Sequence, residues 1–286
     1  MLTLETGFFT TVTLPTKIRN LKKLAHILIV IVLTLVTQIG GLIWIINFGL
    51  YRIFTTKKSN WIRLGTFLVL YSSVTFFIIP PIAKSFGRVP LPISKSGNLR
   101  PHNFITPILN RHYVRPQLRT QLIKLANRTN TSNNKLKLSY LDANFPFIDG
   151  FPLLPHLSHS DGRKVDLSFY YTKNSIPGNH KPSNSGYGQF VEPLPSEYNQ
   201  TKQCKSKGYW QYDFTRFLTL GSRNDLEFDA TNTKQLIRRI VSDPLTQKVF
   251  IEPHLKTRMK LSNKKIRFHG CQAVRHDDHI HLQFVW

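Results

Sequence analysis

His159-Ser160-Asp161-Gly162-Arg163-Lys164-Val165-Asp166 and the near-terminal His276-Asp277-Asp278-His279-Ile280-His281 are the two stretches that decide how this chain is read. Together they hold four of the chain's 11 histidines and four aspartates. That concentration of imidazole and carboxylate points to a metal site that does chemistry. The second stretch opens His279-Ile-His-Leu-Gln-Phe-Val285, whose strict alternation predicts a terminal strand. On a strand, side chains at i and i+2 face the same way. His279 and His281 therefore share one face, with Ile280 and Leu282 on the core side. In the first stretch six residues separate His159 from Asp166, and Gly162 allows a tight turn between them. Asp166 enters the apolar run Val165–Tyr171, where an unpaired carboxylate is costly and a nearby cation would offset that cost. Two imidazoles and one carboxylate are a common catalytic zinc set, with the fourth position left to water. An acid or base beside that water is then needed, and His279, His276 or Asp278 could serve.

Outward from these motifs, Lys137–Leu141 and Val165–Tyr171 predict strands. Thr231–Asp243 predicts a helix with Leu236, Ile237 and Ile240 on one face, followed by a short strand at Val249–Ile251. A short helix at His254–Lys260 and an extended edge at Lys265–Phe268 precede the terminal strand. Strands and helices do not alternate regularly, so the fold class is α+β rather than doubly wound. Residues 173–208 are rich in Gly, Pro, Ser, Asn and Lys and predict a long loop that forms a functional rim or is disordered. The domain so defined covers 136–286. Before it, 85–135 is expected to be a linker holding one short amphipathic helix, Pro116–Ala126, that packs on the domain.

The front of the chain differs in kind. Of the 286 residues and formal net charge of +24, about +18 lies before Asp142, where Glu5 is the single acid against 19 Lys and Arg. Nucleic acid is the usual reading of such charge. Here the basic half also carries long apolar runs, so membrane lipid is the expected partner and nucleic acid is not. No charge falls between Lys23 and Arg52, nor between Leu64 and Ala83, and each run approaches or exceeds the roughly 20 residues that span a bilayer. The expectation is a basic segment 1–23, then a transmembrane hairpin of two helices within 24–84. The bases flanking the first span are equal in number, so the charges do not choose an orientation. Cys204 and Cys271 lack CxxC spacing, which excludes a thiolate zinc site. They are either a disulfide, if the compartment is oxidising, or two unrelated buried thiols.

The pattern His-x-x-Gly-x-x-x-Asp followed by a late His-x-x-His-x-His resembles the penicillin-insensitive murein endopeptidases. These belong to the zinc peptidases that share a fold with the Hedgehog signalling domain and the D-Ala-D-Ala carboxypeptidases. The likeness runs over roughly 138–286, including Ser242-Asp-Pro and Val249–Ile251, and leaves out the apolar runs. It implies a Hedgehog/DD-peptidase-like antiparallel sheet with flanking helices, a zinc ion (Zn2+), and peptidoglycan peptides as substrate. It implies His159, Asp166 and His281 as zinc ligands, His279 as general base, and His276 as a further catalytic histidine at the substrate or tetrahedral intermediate. The chain departs from the family pattern at Lys164, where an acid is common, and in its membrane hairpin.

By the same spacing, His156 lacks the correct partner, since Arg163 stands where a carboxylate would, and it is expected on the rim or in a structural role. Asp161 is expected in a turn, and Asp277 and Asp278 as orienters of histidine. Asp278, three residues before His281, is the second choice for the base. His102, His112, His180, His254 and His269 are expected to be surface or structural. Tyr209, Trp210 and Tyr212 line a groove or pack internally. The reading is a multi-pass inner-membrane zinc peptidase whose domain faces the periplasm or cell exterior. The alternatives are an inactive zinc-binding envelope module and a basic polyanion-binding membrane protein.

Overall fold

The computed structural model describes residues 16–54, 59–132 and 136–285. Most of the expected basic segment 1–23, the Lys57-Lys58 pair and Asn133-Asn134 lie outside the described residues.

The first apolar run is not one helix. It forms α1 (Thr16–Thr37) and α2 (Gly40–Phe54), packed side by side. The break at Gln38, where φ is +67°, has a local cause. Thr37 Oγ1 bonds back to the Leu33 carbonyl and accepts the Gly40 N–H, which closes the corner. A Cβ on Gly41 would stand 2.1 Å from Thr34 Oγ1, so only glycine lets the two helices meet this closely. The second run forms α3 (Asn60–Ser73), a π-helical turn (Val74–Ile78) and α4 (Ile79–Ser85) without interruption. The two expected long helices are therefore joined by a third, shorter apolar rod, α2, that packs against both α1 and α3. Two of them, Asn20–Thr37 and Asn60–Ser85, are long and apolar enough to cross a membrane, and Gly40–Ile53 is shorter.

Residues 85–135, read as a linker, carry β1 (Val89–Pro90), β2 (Leu99–Pro101), α5 (Ile105–Ile108), β3 (Tyr113–Val114) and α6 (Pro116–Ser132). β2 joins the main sheet, and Leu118, Leu122 and Ala126 of α6 are buried in the main core. The remainder supplies β4 (Leu138–Tyr140), β5 (Lys164–Ser168), β6 (Tyr171–Lys173), β7 (Ile176–Gly178), α7 (Gln200–Ser206), a 3-10 stretch (Trp210–Leu218), β8 (Glu227–Phe228), α8 (Ala230–Ser242), β9 (Thr246–Phe250), α9 (Pro253–Arg258), β10 (Ile266–Arg267) and β11 (His279–Phe284).

The fold is α+β. Its main sheet has the order β10-β9-β11-β5-β4-β2, antiparallel through the centre and parallel at the two outer pairs, hence mixed. β11 is a central strand between β9 and β5. One face of the sheet sends Val165, Leu167, Ile280 and Leu282 into a core with α6 and α8. The opposite face carries the histidines.

Candidate metal centre

Antiparallel register sets His281 opposite Asp166 and His279 opposite Ser168. Both histidines are buried in the middle of the sheet, not solvated on an edge. The turn before β5 brings His159 over the same face. Its Nδ1 donates to the Ala143 carbonyl at 2.7 Å, which leaves Nε2 as a lone pair aimed inward. His159 Nε2 lies 3.1 Å from Asp166 Oδ1 and 3.1 Å from His281 Nδ1, and His281 Nδ1 lies 2.9 Å from Asp166 Oδ1. Ligand atoms about 2.0–2.2 Å from a tetrahedral zinc stand roughly 3.3 Å from one another. The three separations fall a few tenths of an ångström short of that, so the donors fit a small cation with little movement.

His156, expected on the rim or in a structural role, is buried, lines the cleft and also belongs to the cluster. One ligand atom from each of His156, His159 and Asp166 lies within 4.8 Å of the others, so this buried group can hold a metal ion. The two donor sets share His159 and Asp166. The set with His281 is tighter. His156 Nδ1 instead stands between two carboxylates, 3.2 Å from Asp166 Oδ2 and 3.4 Å from Asp142 Oδ2. The chain turns at once after it: the His159 N–H bonds the His156 carbonyl at 3.0 Å, which brings the two rings to 5.7 Å at a tilt of 39°.

Burial disfavours charge on Asp166, yet the imidazoles of His159, His279 and His156 hold its carboxyl well below the ordinary range. It is a carboxylate ready to bind a cation. Burial holds His281 down to about 3, so its imidazole is neutral. His276 is also held well below its ordinary value, by burial first and then by its histidine neighbours. For His279 burial works against charge, but Asp166 and Asp278 outweigh it and push the imidazole up to about 9.

His279 Nδ1 is tied to the Asp278 carboxylate, whose other oxygen accepts the Gly188 N–H at 2.6 Å. Asp278 thus has both oxygens engaged and acts as the orienter of His279. The free nitrogen, Nε2, has no hydrogen-bond partner and points toward Asp166 Oδ2 at 3.7 Å. The His276 ring lies 4.9 Å from that of His279. Asp277, expected to orient a histidine, pairs with Arg275 and stands 3.7 Å from His254, outside the cluster. Asp161 caps the turn by accepting the Arg163 N–H, and it also binds Lys164.

Tyr187 was not singled out from the sequence. Its hydroxyl donates to Asp166 Oδ2 at 2.8 Å and accepts the Asp142 N–H at 3.1 Å. It comes from the long Gly- and Ser-rich loop, and nothing in the local sequence marks it. His269, expected to be structural, stacks on Phe250 and lines the site.

The cluster opens on a cleft of about 500 Å³ lined by His156, Leu157, Trp210, Phe214, His276 and His281. Trp210 is thus on the cleft, whereas Tyr212 is buried and donates to Glu252. Cys204 and Cys271 form a disulfide that ties α7 to the loop before β11, and Gln211 bonds the Cys271 carbonyl, so this cleft wall is pinned. No protein-family model matches the chain, and no curated protein matches it in sequence.

Proposed function

We propose that this protein is a membrane-anchored zinc peptidase that hydrolyses peptide cross-links of peptidoglycan on the outer side of the membrane. The observation that carries the reading is the convergence of His159 Nε2, Asp166 Oδ1 and His281 Nδ1 within 3.1 Å, beside the unpartnered His279 Nε2 and at the floor of a cleft. Two imidazoles and a carboxylate suit zinc, and the motif spacing resembles that of the murein endopeptidases. The sheet with β5 and β11 at its centre and helices on one face agrees with a Hedgehog/DD-peptidase-like arrangement.

A zinc ion held there would supply Lewis-acid activation of water and of the scissile carbonyl. His279 Nε2 then accepts a proton as a water oxygen bonds the carbonyl carbon, and it returns that proton to the leaving amine nitrogen as the C–N bond breaks. Asp278 holds Nδ1 and fixes the ring for both transfers. A cation on Asp166 offsets the negative charge that raises His279, which moves its pKa toward the working range of a base. His276, neutral and at the cleft wall, is placed to donate to a developing oxyanion.

Two observations support the outward-facing domain. The corner at Gln38 sends α2 back beside α1. Lys22 and Lys23 in the first turns of α1, Arg52 at the end of α2 and Arg63 at the start of α3 then share the ends of the helices away from the corner, with no charge at the corner itself. The equal counts that cancelled for a single long first span add up for a folded-back one, and the basic side faces the cytoplasm. The disulfide suits an oxidising exterior.

Digestion of purified peptidoglycan by the full-length protein tests the reading, with products read by mass spectrometry. New muropeptides carrying a freed amine, lost on chelation and restored by zinc, support it. Intact cross-links with zinc fully bound would refute it.

A further inference from the structure

The domain does not hang from its helices. It meets them part-way along their length. Tyr71 Oη, in α3, donates to the Ile108 carbonyl at 2.6 Å and accepts from Asn110 Nδ2, and Phe76 stacks on Phe104. Gln38 Oε1, at the α1–α2 corner, accepts the Phe147 N–H at 3.0 Å. Phe147 and Tyr113 pack with Ile39, Ile43, Tyr71 and Ile79 in one cluster.

These contacts lie at a shallow level. At 1.5 Å per residue, Lys23 to Thr37 rises about 21 Å and Arg52 to Gly40 about 18 Å. Measured from Asn60, Tyr71 is about 17 Å along its helix and Phe76 about 24 Å. A bilayer's hydrocarbon core is about 30 Å thick. If the basic ends of the helices mark the cytoplasmic edge of that core, the corner at Gln38 and the segment Asn103–Asn110 sit below its far edge.

We infer that α5 and its flanks, with Phe104, Ile105 and Ile108, are inserted among the acyl chains of the outer leaflet, so that the domain is seated in the membrane and not tethered above it. This inference rests on the membrane reading of the helices given above. Two independent features agree with it. Ile105 and Ile108 are 47% and 40% exposed and continue the apolar surface of the helices they touch. Every N–H donor of Ile105–Asn110 (Pro107 has none) is also satisfied from within, as hydrocarbon requires of non-spanning chain. Asn103 Oδ1 accepts the N–H groups of Ile105 and Thr106, the Ile108, Leu109 and Asn110 N–H groups bond within the turn, and Tyr71 caps the Ile108 carbonyl. The segment 145–162 is clamped to the same anchor by the buried Arg88, which bonds the Phe145 carbonyl at 2.7 Å and the Ser160 carbonyl at 3.2 Å. The loop that carries His159 therefore starts at the lipid surface.

Both native cysteines are bonded, so single cysteines introduced into the full-length chain can be labelled selectively. I105C and I108C, V69C on α3 and I176C on β7 would each carry a nitrobenzoxadiazole probe in phosphatidylcholine vesicles. Val69 and Ile176 are equally exposed, at 69% and 68%, and serve as the lipid and water references. The expected result is that doxyl-labelled lipid quenches positions 105 and 108 to within twofold of position 69, while aqueous iodide quenches position 176 severalfold more strongly. Lipid quenching at 69 with water-like behaviour at 105 and 108 would overturn the insertion and leave the anchor intact. Water-like behaviour at 69 as well would overturn the membrane reading itself.

Discussion

His281 stands directly across the β5–β11 pair from Asp166, with Nδ1 2.9 Å from Oδ1, although 115 residues separate them in sequence. This pairing joins the two motifs into one site. It makes the choice between the two overlapping donor sets testable. Asp166→Ala and His281→Ala should each lower bound zinc from about one per chain to a small fraction, read by metal analysis after dialysis. His156→Ala should keep most of the zinc. Loss in His156→Ala with retention in His281→Ala would transfer the site to the other set.

His279 has its Nδ1 held by Asp278 and its Nε2 unpartnered. His279→Ala should retain zinc and lose about 10²–10⁴-fold in cleavage of a cross-linked muropeptide, the usual contribution of a positioned proton-transfer group. Unchanged turnover in a variant with full zinc would remove His279 from the reaction.

Tyr187 orients Asp166 through a 2.8 Å hydrogen bond. Partners of this kind are worth about 10–100-fold in metal affinity. Tyr187→Phe should weaken zinc binding by about that factor in competition with a chromogenic chelator, with the fold preserved by circular dichroism. An unaltered affinity would make the bond incidental.

His102 is buried with its Nε2 on the Ser183 carbonyl. Burial holds its pKa at about 4, below the ordinary 6.5. The unfolded chain therefore binds the proton more readily between these values. Stability from neutral His102 is present above pH 6.5 and is lost as pH falls toward 4, by about 2 kcal/mol at pH 5 and roughly 3 in full. Thermal unfolding of His102→Asn should vary less between pH 7 and pH 5 than that of the parent. An equal slope would assign acid sensitivity to other groups.

Much of the site was legible because it is local. Alternation in His279–Phe284 fixed which residues share a face, and the seven-residue offset from His159 to Asp166 spanned one turn and a strand start. What was not legible is mostly non-local. The sequence does not say that β11 pairs with β5, or that Tyr187 returns from a loop to hold Asp166. Two further features are local. Gly40-Gly41 after Thr37-Gln38 marks a helix corner inside an apolar run, and it packs α2 back against α1. His156 stands three residues before His159 across a turn, and that turn, not the spacing to later residues, brings the two rings together. Strand β2 ends on Pro101, which disguises an edge strand as linker.

The proposed zinc site is built from two imidazoles and one carboxylate. Zinc K-edge X-ray absorption on the full-length protein tests it most directly. The expected spectrum is one tightly held zinc per chain in a nitrogen and oxygen shell at about 2.0–2.2 Å, with the multiple-scattering features of two imidazole rings. Protein that holds no zinc after dialysis, or a zinc shell without imidazole, would contradict the account.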